Sequence, residues 1–201
     1  MLAMAKHDLG DQPRIHTHPV GSAQRAEVEA FIRTVYSERF GAQVQAFAPM
    51  LVSLRDAQGQ LLAAAGYRVA SEEPLFLERY LNLPVEHRLG HGQWVKPQRS
   101  QIVEVGHLAA QKAGEGRRLI LLLGPHLAER GLQWVVSTLT EELRRLFVRL
   151  GVIPLALGVA DPALLGEDAA HWGSYYDHHP VVLAGQIGPA LAALSRPRAT
   201  T

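Results

Sequence analysis

The stretch from Gln101 to Gly131, QIVEVGHLAAQKAGEGRRLILLLGPHLAERG, constrains this chain more than any other. A run of branched residues predicts a strand over Gln101 to Leu108, and a short glycine-bearing turn follows. A long apolar helix then runs from about Glu115 to Arg130. Within the stretch, Gln111-Lys112-Ala113-Gly114-Glu115-Gly116 fits the pattern Gln/Arg-x-x-Gly-x-Gly. Glycines let backbone N–H groups approach a bulky anion, and a helix start adds partial positive charge there. The same six residues also serve as an ordinary tight strand–helix connection, so the hexapeptide alone decides nothing.

The rest of the chain supplies elements that can sit beside this unit. Val28, Phe31, Ile32, Val35 and Tyr36 fall at helical spacing between Ser22 and Phe40, and Gly41 stands where that helix would stop. Leu51–Leu54 and Leu61–Val69 read as two strands joined by a turn at Asp56 to Gly59. Pro74 to Leu89 begins as a helix that Pro84 interrupts. Gly124-Pro125 is expected to bend or split the long helix. Leu132 to Leu139 is strand-like. Thr140 caps a helix with Glu141 and Glu142 in its first turn, an apolar stripe at Leu143, Leu146, Phe147 and Leu150, and Gly151 at its exit. Val152–Val159 and Val181–Gln186 are the last strands, with a long polar segment between them. The order predicts an α/β chain with one central sheet. Residues 1–20, with Pro13 and Pro19 and no periodicity, read as a loose arm, and 21–201 as one domain.

Composition removes several function classes. The net charge is +1 and no basic run or basic–aromatic stripe occurs, so nucleic acid is not an expected partner. Without cysteine there is no disulfide, thiolate metal site or cysteine nucleophile. The N-terminal residues carry Lys6, Asp8, Asp11 and Arg14 in place of an apolar signal core, and the aliphatic run Leu119–Leu123 is too short to span a bilayer. A cytoplasmic protein without a transmembrane segment is the expectation. The ten histidines include His171, His178 and His179 near Asp177, but no helical His-x-x-x-His accompanies them, and no metal site is assigned. No Gly-x-Ser-x-Gly elbow is present.

FLERYLNLPVE (76–86), IVEVGHLA (102–109), LQWVVSTLT with ELRRLFVRLGVIPLALGVAD (132–161) and WGSYYDHHPVVLAG (172–185) resemble, in order and spacing, the thermostable hemolysin family of bacterial proteins. That family's pattern is similar to GNAT acyltransferases, including acyl-homoserine-lactone synthases. The resemblance implies a GNAT-like fold: a central mixed, mostly antiparallel sheet whose middle strands splay apart, with flanking helices. It also implies acyl-transfer ancestry. In that fold the strand–turn–helix unit holds the pyrophosphate of coenzyme A or the pantetheine arm of an acyl carrier protein. The chain departs from the pattern at His107, where an asparagine is expected, and at Gly124-Pro125.

Glu104 lies mid-strand between Val103 and Val105, and alternation puts Ile102, Glu104 and Gly106 on the face opposite His107. A carboxylate there needs solvent or a partner. It reads either as a general base for an acceptor amine, or as half of an ion pair with Arg99 or another arginine. The resemblance favours the base. For the donor, the expectation is that Val105, Gly106, His107 and Leu108 offer strand backbone to pantetheine, while Ala113, Gly114, Glu115, Gly116 and Arg117 receive phosphate. Glu78, Tyr80, Arg99 and Thr138 are the candidate acceptor contacts, with Arg99 able to grip a carboxylate. Tyr175, next to Tyr176 and Asp177, is the candidate acid for a leaving thiolate; core packing explains it equally.

The expected function is N-acyl transfer, of a fatty acyl group, from coenzyme A or acyl carrier protein to a small amine such as an amino acid. The donor is an acyl-CoA or phosphopantetheine carrier acting as substrate, with no covalently held cofactor. A homodimer is compatible with this reading. Two others stand beside it: a membrane-lytic protein, as the family name suggests, and a thioester-binding module without turnover.

Overall fold

The structure, a computed structural model, describes residues 14–90 and 96–194. Among the described residues seven strands form one sheet in the order β1-β2-β3-β4-β5-β7-β6. The strands are β1 (Ile15–Pro19), β2 (Met50–Arg55), β3 (Leu61–Val69), β4 (Ile102–Ala110), β5 (Trp134–Leu139), β6 (Leu155–Val159) and β7 (Val181–Gln186). The helices are α1 (Arg25–Phe40), α2 (Val85–Gly90), α3 (Ala113–Ala128), α4 (Glu141–Arg149) and α5 (Ile187–Leu194). All neighbouring strands run antiparallel except β4 and β5. This is the mixed, mostly antiparallel arrangement expected.

The loose-arm reading of residues 1–20 gives way at its end. Residues 1–13 lie outside the described residues, but Ile15–Pro19 pairs with β2 from Ile15↔Leu54 to Pro19↔Met50. Hydrophobic periodicity misses this edge strand because its one fully buried residue is His18, whose Nε2 lies 2.8 Å from the buried Ser53 hydroxyl. Elsewhere the pattern holds. Val28, Ile32, Val35 and Tyr36 bury one stripe of α1, and Gly41 ends it in the left-handed region at φ 64°. The β2–β3 turn is held by the Asp56 carboxylate, which accepts from the N–H groups of Gln58 and Gln60. Pro84 does separate a 3-10 segment, Phe76–Tyr80, from α2. In the long polar segment two more 3-10 stretches, Pro162–Trp172 and Tyr175–His178, fold back over the sheet, and α5 follows β7.

Three local differences from expectation shape the site. First, α3 begins at Ala113, so Gly114 and Gly116 lie inside its opening turns and not in a loop. Second, α3 continues through Gly124-Pro125 without splitting. A Cβ on Gly124 would stand 3.1 Å from Leu191 Cδ2, so α5 packs closely where the glycine leaves room. Third, Thr140 occupies the N-cap position of α4 but its side chain makes no capping bond.

Two layers cover the sheet. On one face α1 and the 3-10 segments pack around Ile32, Leu51, Leu77 and Ile102. On the other, α3 and α5 pack through Leu119, Leu127 and Ile187 against Val52 and Val103. Helix α4 has a clean apolar stripe yet buries none of its own residues. That stripe faces the cleft described next.

Candidate active site

Strands β4 and β5 hold register only at Ile102↔Trp134, Val103↔Val135 and Glu104↔Val136. Beyond that point β4 continues to Ala110 and β5 to Leu139 without facing each other in register. The parting opens a cavity of about 820 Å³. Glu104, Phe76 and Tyr176 line it from the α1 face, and Leu123, Leu127 and Ile187 from the α3–α5 face. The cavity therefore passes through the sheet. Leu143, Leu146 and Phe147 of α4 also line it, which accounts for their not being buried.

Glu104 sits at the apex of the splay and is 8% exposed. Its Oε2 accepts from the N–H of Phe76 at 2.7 Å and its Oε1 from the N–H of Leu77 at 3.0 Å. The carboxylate thus closes the start of the 3-10 segment, where orphan donors point outward. Arg68 Nε stands 3.5 Å from Oε2. Burial outweighs Arg68 and these donors, pushing the carboxyl up to about 7. Such a group carries and releases a proton near neutrality.

Next along β4 the strict alternation fails. Gly66 faces Gly106 and Ala64 faces Ala109, so His107 and Leu108 together oppose the single residue Ala65. This is a β-bulge, and His107 takes it up with a φ of 53°. The inserted residue turns His107 to the α1 face, the face of Glu104 and not the opposite one that alternation assigned. Its Nε2 donates to the Ala46 carbonyl at 3.1 Å, and its ring lies against Phe47. Burial, helped by Arg68, lowers this imidazole to about 4, so it is neutral at ordinary pH. Val105, Gly106, His107 and Leu108 all line the cavity.

At the far end of β4, Gln111, Gly116 and Arg117 line the cavity beside the first turn of α3. A Cβ on Gly114 would meet nothing within 4 Å, leaving the backbone there open to a ligand. Glu115 turns toward Arg118, 3.7 Å away.

The tyrosines and Thr138 come together across the cleft. Tyr175 is buried, its phenol held well above the usual range by burial, and its hydroxyl donates to the Thr138 carbonyl at 3.2 Å. The Tyr80 and Tyr176 hydroxyls lie 2.5 Å apart. Trp172 packs edge-on to Tyr176 and tilted against Phe76, completing an aromatic wall. Arg99 and Glu78, by contrast, are not in the cleft. Arg99 grips Glu78 through both Nη atoms at 2.7 and 3.0 Å, and reaches Glu86 at 2.7 Å. Glu78 also accepts from the N–H groups of Leu75 and Val85. The pair is a brace between the 3-10 segment and α2, beside a separate shallow groove. The cations that do line the cleft near Glu104 are Arg68 and Arg79. Sequence spacing misses both, because strand pairing and a 3-10 turn bring them there. Among the described residues no group of three metal-ligating side chains converges; His178 packs against the Phe40 ring.

A family model described as thermostable hemolysin matches residues 18–191. The chain belongs to that family. Solved structures show which fold the family member adopts. Acyl-homoserine-lactone synthase LasI is 15% identical, with a TM-score of 0.62 over 92% of this chain and 96% of its own. TofI, solved with an inhibitor and MTA, is 20% identical with a TM-score of 0.60 over 92% and 98%. FeeM, an N-acyl amino acid synthase from uncultured soil microbes, is 14% identical with a TM-score of 0.60 over 92% and 97%. No curated protein matches this thermostable hemolysin family member in sequence. The fold is GNAT-like, as the resemblance implied. Among the described residues no helix is long and apolar enough to cross a membrane.

Proposed function

We propose that this protein is an N-acyltransferase that moves a fatty acyl group from a thioester of coenzyme A or acyl carrier protein to a small amine. One observation carries the reading: a carboxyl poised near neutrality sits where β4 and β5 part, beside a bulged strand and a cavity running through the sheet. Proteins of similar fold include acyl-homoserine-lactone and N-acyl amino acid synthases.

In this reading the pantetheine arm lies along the bulge from Val105 to Leu108, and the phosphates or carrier linkage meet the start of α3. The acyl chain enters the apolar arm between α3 and α5. The amine nitrogen attacks the thioester carbonyl, the new C–N bond forms and the C–S bond breaks. Glu104 takes the amine proton through a water, a role that is typically worth about 100- to 10,000-fold in rate. The phenol of Tyr175 is held so high that giving its proton to a thiolate is uphill. Its one O–H is donated to the Thr138 carbonyl, and the leaving thiolate takes its proton from water. Cytoplasmic acyl thioesters are the natural donor pool, and we place the protein there. A surfactant-like N-acyl product would lyse erythrocytes without the polypeptide entering a membrane, which reconciles the family name with this chemistry.

The test is direct. Dodecanoyl-CoA and dodecanoyl carrier protein are each incubated with the enzyme and a mixture of amino acids and amines. Free thiol is followed by colour and products by mass spectrometry. N-acyl products that vanish with Glu104→Gln support the reading. Absence of both product and any thermal shift with either thioester overturns it.

A further inference from the structure

Arg39, Arg68, Arg117 and Arg149 also line the cleft, and Arg79 differs from them in sharing a 3-10 segment with the N–H groups that hold Glu104. Arg68 is held between Glu73 and Glu104, at 3.3 and 3.5 Å. Arg39 of α1 is engaged by Glu142 of α4. Arg117 belongs to the opening turns of α3, at the donor end. Arg79 lies on the same 3-10 segment whose first N–H groups hold Glu104, and in a three-residue turn it stacks over Phe76. Its guanidinium carbon is 5.3 Å from the Phe76 ring centroid. One Nη2 contact, to the Leu165 carbonyl at 3.3 Å, ties the group to the segment over the cleft. The other is the Asp168 carboxylate at 2.9 Å. The Asp168 side chain is 57% exposed, so nothing buried fixes it there.

We infer that Arg79 is the acceptor-specificity residue and that Asp168 occupies the position of a substrate carboxylate. This rests on the acyl-transfer reading and narrows its acceptor to amino acids. The arrangement has the parts that class requires. The guanidinium is a planar fork matched to a carboxylate, already oriented by the ring beneath it. Phe76 links the two polar ends of the subsite, its N–H on Glu104 and its ring under Arg79. An amino acid set here has its nitrogen toward Glu104 and its carboxylate on Arg79. Its side chain then lies against the half-buried Trp172 and Tyr176, which favour an aromatic or large apolar group. Asp168 leaves to solvent when the substrate arrives, so the exchange swaps one carboxylate for another at the same donor.

The experiment measures acceptor binding without turnover. L-phenylalanine and phenethylamine, which differ only by the carboxylate, are titrated calorimetrically into the full-length protein saturated with unacylated coenzyme A. A charge-assisted pair predicts roughly 10-fold or more tighter binding of phenylalanine. Arg79→Gln should abolish that difference, Arg79→Lys should keep part of it, and Asp168→Asn should tighten phenylalanine alone. Equal affinities, no binding of either compound, or an unchanged preference in Arg79→Gln overturns the assignment; melting curves of both Arg79 variants verify the fold. Parallel assays with dodecanoyl-CoA separate the two levels. Phenylalanine bound as expected but never acylated leaves the subsite standing and removes the acyl-transfer reading. Phenethylamine acylated as well as phenylalanine, with and without Arg79, does the reverse.

Discussion

Arg68 and Glu104 face each other directly across β3 and β4, as register partners with Nε and Oε2 3.5 Å apart. The pairing sets the character of the candidate base. Burial alone drives Glu104 toward the neutral acid, and Arg68 draws it back toward the carboxylate. The balance falls at about 7, where a general base works best at neutral pH. The same carboxylate also anchors the Phe76 and Leu77 N–H groups. Glu104→Gln therefore disturbs structure as well as chemistry, because its amide nitrogen must face one of those donors. Loss of rate in that variant needs support from a measurement that reports titration.

Arg68→Met supplies it. Removing the cation leaves burial with less opposition, so the Glu104 carboxyl rises further above 7. The acidic limb of kcat/KM against pH should move to higher pH by a measurable step, with the alkaline plateau retained. A limb that stays in place would detach Glu104 from the rate profile. Arg68→Lys, which retains the charge, should restore most of the original position.

Stability should carry the same signature. The folded carboxyl titrates at about 7 against an ordinary value of 4.5, so between those pH values the folded state binds more protons than the unfolded chain. The contribution is fully present below the unfolded value and is lost as pH rises through 7. It amounts to roughly 3 kcal/mol if nothing relaxes. His107, lowered to about 4, contributes the opposite slope between about 4 and 6.5, so in chemical denaturation from pH 4.5 to 8 the decline should appear as the difference between the wild type and Glu104→Gln.

How far the sequence reached follows from the range of the contacts involved. Helix α1 and the β2–β3 hairpin were legible because their apolar spacing and turn residues are local. Glu104 was legible because an acid between two valines is costly wherever it sits. Its partners were not: Arg68, Phe76 and Leu77 reach it only through strand register and chain folding. For the same reason Arg99 looked available as a carboxylate binder, while the fold commits it to Glu78 and Glu86. Alternation along β4 failed at one residue, since a bulge adds a position that no local pattern announces. Strand β1 went unseen because a histidine takes the place of its buried apolar residue.

The bulge has its own test at Gly66. A Cβ there would come within 3.0 Å of Ala48 Cβ and Leu51 Cδ2 and 3.1 Å of His107 Nδ1. Gly66→Ala should cost about 1–3 kcal/mol through overpacking. Because His107 belongs to the bulge, donor affinity should fall along with the melting temperature. Calorimetry with coenzyme A, performed well below the melting point, separates this loss from unfolding.

Ala190 of α5 lines the apolar arm of the cavity. Ala190→Phe fills space that the proposal reserves for the acyl chain. Transfer from dodecanoyl-CoA should drop by at least about 10-fold, the scale of one or two methylenes lost from an apolar pocket. Transfer from butanoyl-CoA should change little. Equal losses for both chain lengths would mean that the acyl group lies elsewhere.

Gly114 offers the cleanest separation of ligand binding from folding. It stands inside α3, away from the left-handed region, with nothing within 4 Å of the position a Cβ would take. The fold has no use for glycine there. A helical glycine costs roughly 0.5–1 kcal/mol relative to alanine, so Gly114→Ala should raise the melting temperature or leave it unchanged. A phosphate approaching the first turn of α3 would meet the new methyl, and the backbone N–H groups would be held back from it. Coenzyme A affinity should therefore weaken by about 10-fold or more, the equivalent of one or two charge-assisted hydrogen bonds to an anion. The opposite directions make the test decisive: a variant more stable than the wild type yet poorer at binding the donor assigns this glycine to the ligand. Unchanged affinity for coenzyme A would move the phosphates away from the α3 terminus.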